Sequence, residues 1–486
     1  MNSLLRVYTT LFKRLNQEIP YVVWKACHEL QISLNGKGDI DLLVDLQYRE
    51  LFKALVRAQG FLYAKFNALT FPFVEHFYGY DEETGQICHL HVYYKLITGE
   101  THIKAYHLTL ENEIMGNRFL NSLNVYESSY RDQALIYSLR HYMKRASLIG
   151  FLFWAYERKD YLDEYAYICN GLTSSARSDS FPAENNLHSE FDFHRLDMGT
   201  GFSGYCNARD KVSCISGFRR FNAFEAAWKS LCNLGVRLFY KAFRVRKRPE
   251  KGLLLAVSGV DGSGKSSMVE ELHGWFGRDF DVEVLHLGKP SPKFLTLPLR
   301  PLLFVYRIVK GQNRDNLDDS IDSSGVGTLK KKNGLIWAVR YVALAYERYR
   351  VASIALDLAD KGKIVICDRY PSNSSGKMDS PRIGPCGSKL VEKMRSYEHQ
   401  LYERVPKADG LIFLDVSREE AINRNRARIK KDKETDEVIA FRHKENQGLD
   451  FSARQVFFVD TNRDYDSVLK SLKSIAWECL LKGSNQ

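Results

Sequence analysis

No C-x-x-C pair occurs anywhere in this chain of 486 residues. Its nine cysteines are dispersed, at positions 27, 88, 169, 206, 214, 232, 367, 386 and 479. Such an odd, scattered set excludes a regular disulfide framework or a zinc ribbon and reads as reduced thiols. No apolar run reaches the roughly 18–20 residues that a membrane helix requires; the greasiest segments, 297–309 and 149–156, fall short. The opening residues, MNSLLRVYTTLFKRLNQ, are interrupted by Arg6, Lys13 and Arg14 and offer no apolar core of a secretory signal. A cytoplasmic location is therefore expected. Internal repeats and compositionally disordered segments are also missing.

What is present is an ordinary globular composition, 44% hydrophobic and 27% charged, in a chain long enough for two or three cores. Lys and Arg number 70 against 59 Asp and Glu, a net charge of +11, which suits anionic partners. No aromatic–basic motif accompanies that charge, so nucleic acid is not expected as a partner. The basic run 244–252, RVRKRPEKG, reads as a solvated linker.

From 253 onward short apolar runs alternate with helical patterns. The runs are LLLAVSGV (253–260), VEVLHL (282–287), IVIC (364–367), LIFLDV (411–416) and VFFVD (456–460). Continuous apolar strands between helices predict a parallel sheet covered on both faces, a doubly wound α/β domain. At the first strand–helix junction stands Gly259-Val-Asp261-Gly262-Ser263-Gly264-Lys265-Ser266, followed by Ser267. This spacing is that of a P-loop, whose backbone N–H groups converge on a phosphate at a helix N-terminus. Lys265 would reach the β- and γ-phosphates of ATP, and the Ser266 hydroxyl would ligate Mg²⁺. A guanine-specifying N/T-K-x-D is lacking, which turns the reading from a GTPase switch to a kinase. Asp368-Arg369-Tyr370 ends the strand IVIC, where ligands of parallel sheets collect. Asp368 would hold Mg²⁺ or orient the acceptor, and Arg369 would neutralise phosphate oxygens. Arg424 and Arg428, four apart on one helical face, would supply lid cations, with Ser417 and Glu420 forming a capping box at that helix's start.

These motifs resemble the thymidylate-kinase-like branch of the P-loop nucleoside monophosphate kinases over about 252–480. The resemblance rests on the P-loop with its acid at Asp261, on Asp368-Arg369-Tyr370, and on FLDV followed by an arginine-bearing helix. It implies that Arg348, upstream of Gly362, binds the substrate phosphate. Two departures stand out: HLGKPSPKF replaces the family's R-E-P-G-G-T, and PSNSSG replaces its S-x-x-A-Y-Q. The chain is closely similar to thymidylate kinase-like proteins of bacterial surface-polysaccharide gene clusters, which implies a small-molecule phosphoryl acceptor other than dTMP.

In the first half, SLNGKGDIDLLVD places Asp39 and Asp41 on one face of a strand, where both could ligate one metal ion. This resembles the nucleotidyltransferase fold of the polymerase-β and aminoglycoside-adenylyltransferase type over roughly 20–110. Where that family has a third carboxylate, His89 and His91 stand. The expected organisation is a nucleotidyltransferase-like α+β domain with a helical extension at 1–168, a connector at 169–251, and a P-loop kinase domain at 252–486. Two other readings remain open here: a bifunctional kinase and nucleotidyltransferase acting on a sugar phosphate, and a non-catalytic nucleotide-binding scaffold. An oligomer is compatible with all three.

Overall fold

The computed structural model describes residues 4–66, 68–100, 102–175, 187, 191–196, 202–288, 335–427, 435–445 and 448–484. The chain forms two compact units, Met1–Lys247 and Arg248–Gln486.

The first unit opens with α1 (Arg6–Glu18), β1 (Tyr21–Val23) and β2 (Asp39–Val44). There follow α2 (Arg49–Ala58), β3 (Leu62–Lys65), β4 (Val74–Asp81), β5 (Gln86–Tyr93), β6 (Phe119–Leu120) and β7 (Tyr126–Glu127). Its mixed sheet runs β3-β4-β5-β2-β1-β7-β6, with β2 and β5 parallel and β1–β2 and β4–β5 antiparallel. Alternation sorts the side chains. Ile40, Leu42 and Val44 of β2 pack with Leu90 and Val92 of β5 against the apolar stripe Tyr8, Leu11 and Leu15 of α1. The intervening residues, Asp39, Asp41, His89 and His91, must then face the other way.

Of residues 169–251, expected as a connector, 169–247 instead belong to this unit and 248–251 to the second. The helix α3 (Tyr130–Arg145) is followed by α4 (Leu148–Ser175), which runs straight through the expected boundary at 168. Ala208 and Val212 of α5 (Phe202–Ser213) share a core with Leu135 and Leu139 of α3. The helix α6 (Ala223–Ala242) follows, capped by Asn222, whose side chain accepts from the Glu225 N–H. The basic run 244–252 is tied down at its middle: Lys247 donates to the Tyr78 hydroxyl, and Arg248 pairs with Asp281 at 2.7 Å. The boundary between the units falls between these two residues.

The second unit has five parallel strands, β8 (Leu253–Gly259), β9 (Val282–His286), β10 (Ile364–Asp368), β11 (Gly410–Asp415) and β12 (Val456–Asp460), in the order β9-β10-β8-β11-β12. Every residue of β8 is buried, as a central strand covered on two faces must be. The helices are α7 (Lys265–Phe276), α8 (Leu335–Asp360), α9 (Lys389–Glu403), α10 (Arg418–Ala427), α11 (Asp436–Glu445) and α12 (Tyr465–Ser484). Ala352, Ala355 and Ala359 of α8 lie against Leu254, Ala256, Val365 and Cys367; small side chains let this helix approach the sheet closely. Cys479 of α12 packs onto Gly410, where a Cβ would lie 2.5 Å from its sulfur and so would have no room. No described helix is long and apolar enough to cross a membrane.

Candidate active site

The P-loop leaves β8 and enters α7. Gly262 (φ 87°) and Gly264 (φ 85°) adopt the left-handed conformation that only glycine takes without cost. A Cβ on Gly262 would come within 3.0 Å of the Ala421 backbone, so α10 lies directly over the loop. Gly264 starts α7, whose first-turn N–H groups have no acceptor within the helix. Ser266 and Ser267 are exposed on that turn. The Ser263 hydroxyl is buried and has no hydrogen-bond partner among the described residues, an orphan that a phosphate oxygen would satisfy. Lys265 is buried and donates to the Val260 carbonyl at 2.8 Å. Burial, with Arg369 adding repulsion, brings its ammonium down to a pKa of about 8.

Around this loop stand residues of the strand ends. The Oδ2 of Asp368 takes His286 Nδ1 at 2.9 Å, because β9 and β10 pair with His286 opposite Asp368. Half-burial works to raise the Asp368 carboxyl, but the His286 hydrogen bond and the nearby cations hold it below its ordinary value. Arg369 has φ 68°, a strained setting for a bulky residue. It reaches Asp261 at 3.6 Å and Asp379 at 3.5 Å. Tyr370 is fully buried and donates to the Pro406 carbonyl, a structural role.

Two expected phosphate ligands are engaged elsewhere. Arg348 is buried, and its guanidinium donates to the carbonyls of Leu287 and Gly288, to the Tyr402 hydroxyl and to Asp379. Arg424 is held by Glu420 at 2.8 Å and by the Thr461 carbonyl at 2.6 Å. The capping box is half formed: the Ser417 hydroxyl accepts from the Glu420 N–H, while the Glu420 carboxylate turns to Arg424. Arg428 lies outside the described residues. Sequence reasoning missed His286, Asp379 and Tyr402; each lies more than a motif's length from its partner.

In the first unit, the sheet register sets Asp39 opposite His89 and Asp41 opposite His91. His91 Nδ1 is 2.9 Å from Asp41 Oδ1, and ligand atoms of Asp39, Asp41 and His91 lie within 4.8 Å of one another. Lys25 also holds Asp41 Oδ1, at 2.9 Å. His76 and His91 stack at 4.4 Å, as do Tyr78 and His89. Burial, then Lys247, pushes the His89 pKa down to about 3. Lys104, donating to the Tyr93 hydroxyl, falls to about 7 through burial and the Lys25 charge. The expected metal pair is thus an ion-paired cluster. Its mixed imidazole and carboxylate donors, with an ammonium already on Asp41, do not fit the all-oxygen shell of Mg²⁺.

No family model matches this chain. Over 183 residues it is 26% identical to the uncharacterized ATP-binding protein YghR of Escherichia coli (strain K12), covering 35% of this chain and 68% of that one. Over 234 residues it is 25% identical to a probable thymidylate kinase of Staphylothermus marinus, covering 47% of this chain and 97% of that one. Among solved structures, the thymidylate kinase of Candida albicans aligns with a TM-score of 0.28 at 17% identity, covering 46% of this chain and 91% of that one. The chain is thus distantly similar to thymidylate kinases and ATP-binding proteins.

Proposed function

We propose that the second unit is an ATP-dependent, Mg²⁺-requiring phosphotransferase that acts on a small-molecule acceptor other than dTMP. The observation that carries this reading is the P-loop itself, with a buried, unpartnered Ser263 hydroxyl and Lys265 at the head of α7. In this reading the α7 N-terminus and Ser263 cradle the triphosphate, and Lys265 swings from the Val260 carbonyl to the phosphates. Exposed Ser266 would hold Mg²⁺, which would neutralise charge on the transferring phosphoryl group. Arg369, poised between Asp261 and Asp379, supplies a second cation beside the loop. Similarity to a probable thymidylate kinase and to an ATP-binding protein agrees with ATP as donor. The missing R-E-P-G-G-T turn argues against dTMP, and resemblance alone suggests a place in surface-polysaccharide synthesis.

For the first unit we propose a nucleotidyltransferase-like fold with no Mg²⁺-dependent transfer through Asp39 and Asp41, since Lys25 occupies the carboxylate that such a step needs. ADP formation from Mg²⁺-ATP by the full-length chain, compared with Lys265→Ala, tests the central reading. Turnover that survives this substitution in a folded protein would remove the P-loop from the chemistry.

A further inference from the structure

The helix α6 is mounted with its polar side inward. None of its 20 residues, Ala223–Ala242, is buried. At about 100° per residue, Ala226, Ser230, Asn233 and Tyr240 share one face, and this face meets the rest of the unit. Ser230 Oγ lies 2.6 Å from Nε2 of buried His102, and the Asn233 amide donates to the His102 carbonyl at 2.8 Å. The Tyr240 hydroxyl accepts from the Ala68 N–H at 2.9 Å, and its ring packs on Phe66. Ala226 adds an apolar contact with the core that holds Leu135 and Leu139.

The opposite face repeats apolar residues at i, i+4, i+7 and i+14: Phe224, Trp228, Leu231 and Leu238. These are 83%, 62%, 66% and 59% exposed, with Phe239 at 54% beside them. Scattered apolar side chains at a surface need no explanation, but a stripe about four turns long does. An ordinary surface helix turns such a stripe to the core and its polar side to water. Here hydrogen bonds fasten the polar side, so the stripe is held outward.

The charges around the stripe indicate what it meets. Between 223 and 246 stand five cations, Lys229, Arg237, Lys241, Arg244 and Arg246, against one acid, Glu225. Glu225 pairs with Lys229 at 3.6 Å, which leaves the excess charge toward the C-terminal end of the helix. Arg237, Lys241, Arg244 and Arg246 are all exposed. Lys229 and Lys241 flank the stripe on opposite sides, where their stems can lie along apolar surface with the ammonium groups reaching outward. Protein–protein interfaces are depleted in lysine. Lysine and arginine beside Trp, Phe and Leu on one helix suit an anionic bilayer surface instead. Since no described helix is apolar enough to cross a membrane, α6 would lie in the plane of the headgroups.

We propose that α6 is a membrane-surface anchor. Its aromatic and leucine stripe enters the boundary between headgroups and acyl chains of a bilayer rich in anionic phospholipid, and its cations meet the lipid phosphates. This anchoring does not depend on the kinase reading.

Co-sedimentation of the full-length chain with lipid vesicles tests it. Vesicles of phosphatidylglycerol and phosphatidylethanolamine should carry the chain down, and vesicles of phosphatidylcholine should bind it at least about tenfold more weakly. Trp228→Glu combined with Leu231→Glu should weaken binding to the anionic vesicles about 100-fold, and Arg244→Ala combined with Arg246→Ala about tenfold. A second measurement needs no disruptive substitution. Phosphatidylglycerol brominated on its acyl chains should quench the tryptophan emission of the wild type. Trp228→Phe should sediment as before yet lose most of that quenching, since Trp24, Trp275 and Trp477 are buried. No sedimentation with anionic vesicles, equal sedimentation with phosphatidylcholine, or quenching that survives Trp228→Phe would overturn the proposal. So would a lipid-free dimer that Trp228→Glu with Leu231→Glu dissolves, because the stripe would then belong to a second copy of this chain.

Discussion

The two units contain the same pair in different surroundings. In each, parallel neighbouring strands set a histidine opposite an aspartate, and the two side chains meet at 2.9 Å: His91 with Asp41, His286 with Asp368. In the first unit the carboxylate is buried and already holds Lys25, and the imidazole lies inside a stack of rings. In the second the imidazole is half exposed beside a P-loop, and only one of its nitrogens is engaged among the described residues. Backbone register can place a chemical pair, but burial and the neighbouring cations decide whether that pair is closed off or open to solvent.

The sharpest way to break the comparison is to disable each site in turn. Lys265→Ala should reduce ADP formation by about a thousandfold or more, since the phosphate charge loses its buried partner. Asp41→Asn should leave it within about twofold. If Asp41→Asn matches the loss seen with Lys265→Ala, the two units do not differ in the way described.

A smaller effect is expected on stability. Lys25→Met leaves Asp41 without its ammonium partner, and removing one member of a buried pair costs about 3–5 kcal/mol. Urea unfolding followed by intrinsic fluorescence would measure it, and a loss below about 1 kcal/mol would mean that Lys25 does not close this cluster.

The smallest effect is a slope with pH. Lys104 has a pKa of about 7 in the folded chain, below its ordinary value near 10.4. Between those values the unfolded chain binds the extra proton, so stability should rise with pH. Wild type should therefore gain stability between pH 7 and pH 9 relative to Lys104→Met. Parallel curves for the two proteins would show that Lys104 keeps its charge.

Much of the second unit was legible because its information is contiguous. The P-loop is one unbroken run, and each of the five apolar segments became a strand within a residue or two of the reading. In the first unit the alternation of Asp39 and Asp41 was readable, but not the parallel register that sets His91 against Asp41. Register is settled by packing of the opposite face, where Leu42 and Val92 are buried together, and no local pattern states it. The same limit hid His286: VEVLH looks like any buried strand until its neighbour, 82 positions away in sequence, proves to end in Asp368. Arg348 was found by spacing, yet spacing says nothing about which groups will use its donors. The connector at 169–251 was misplaced because loop-like composition near 172–187 does not reveal that Ala208 and Val212 return to the core.

The left-handed backbone at Arg369 has a consequence for anyone evolving this protein in the laboratory. A bulky residue there costs roughly 1–2 kcal/mol, which glycine would not incur. Arg369→Gly would release that strain but strip Asp261 and buried Asp379 of their cation, a larger loss than the strain relieved. At this one codon the ion pairs outweigh the backbone, and a library screened for heat resistance should keep the arginine.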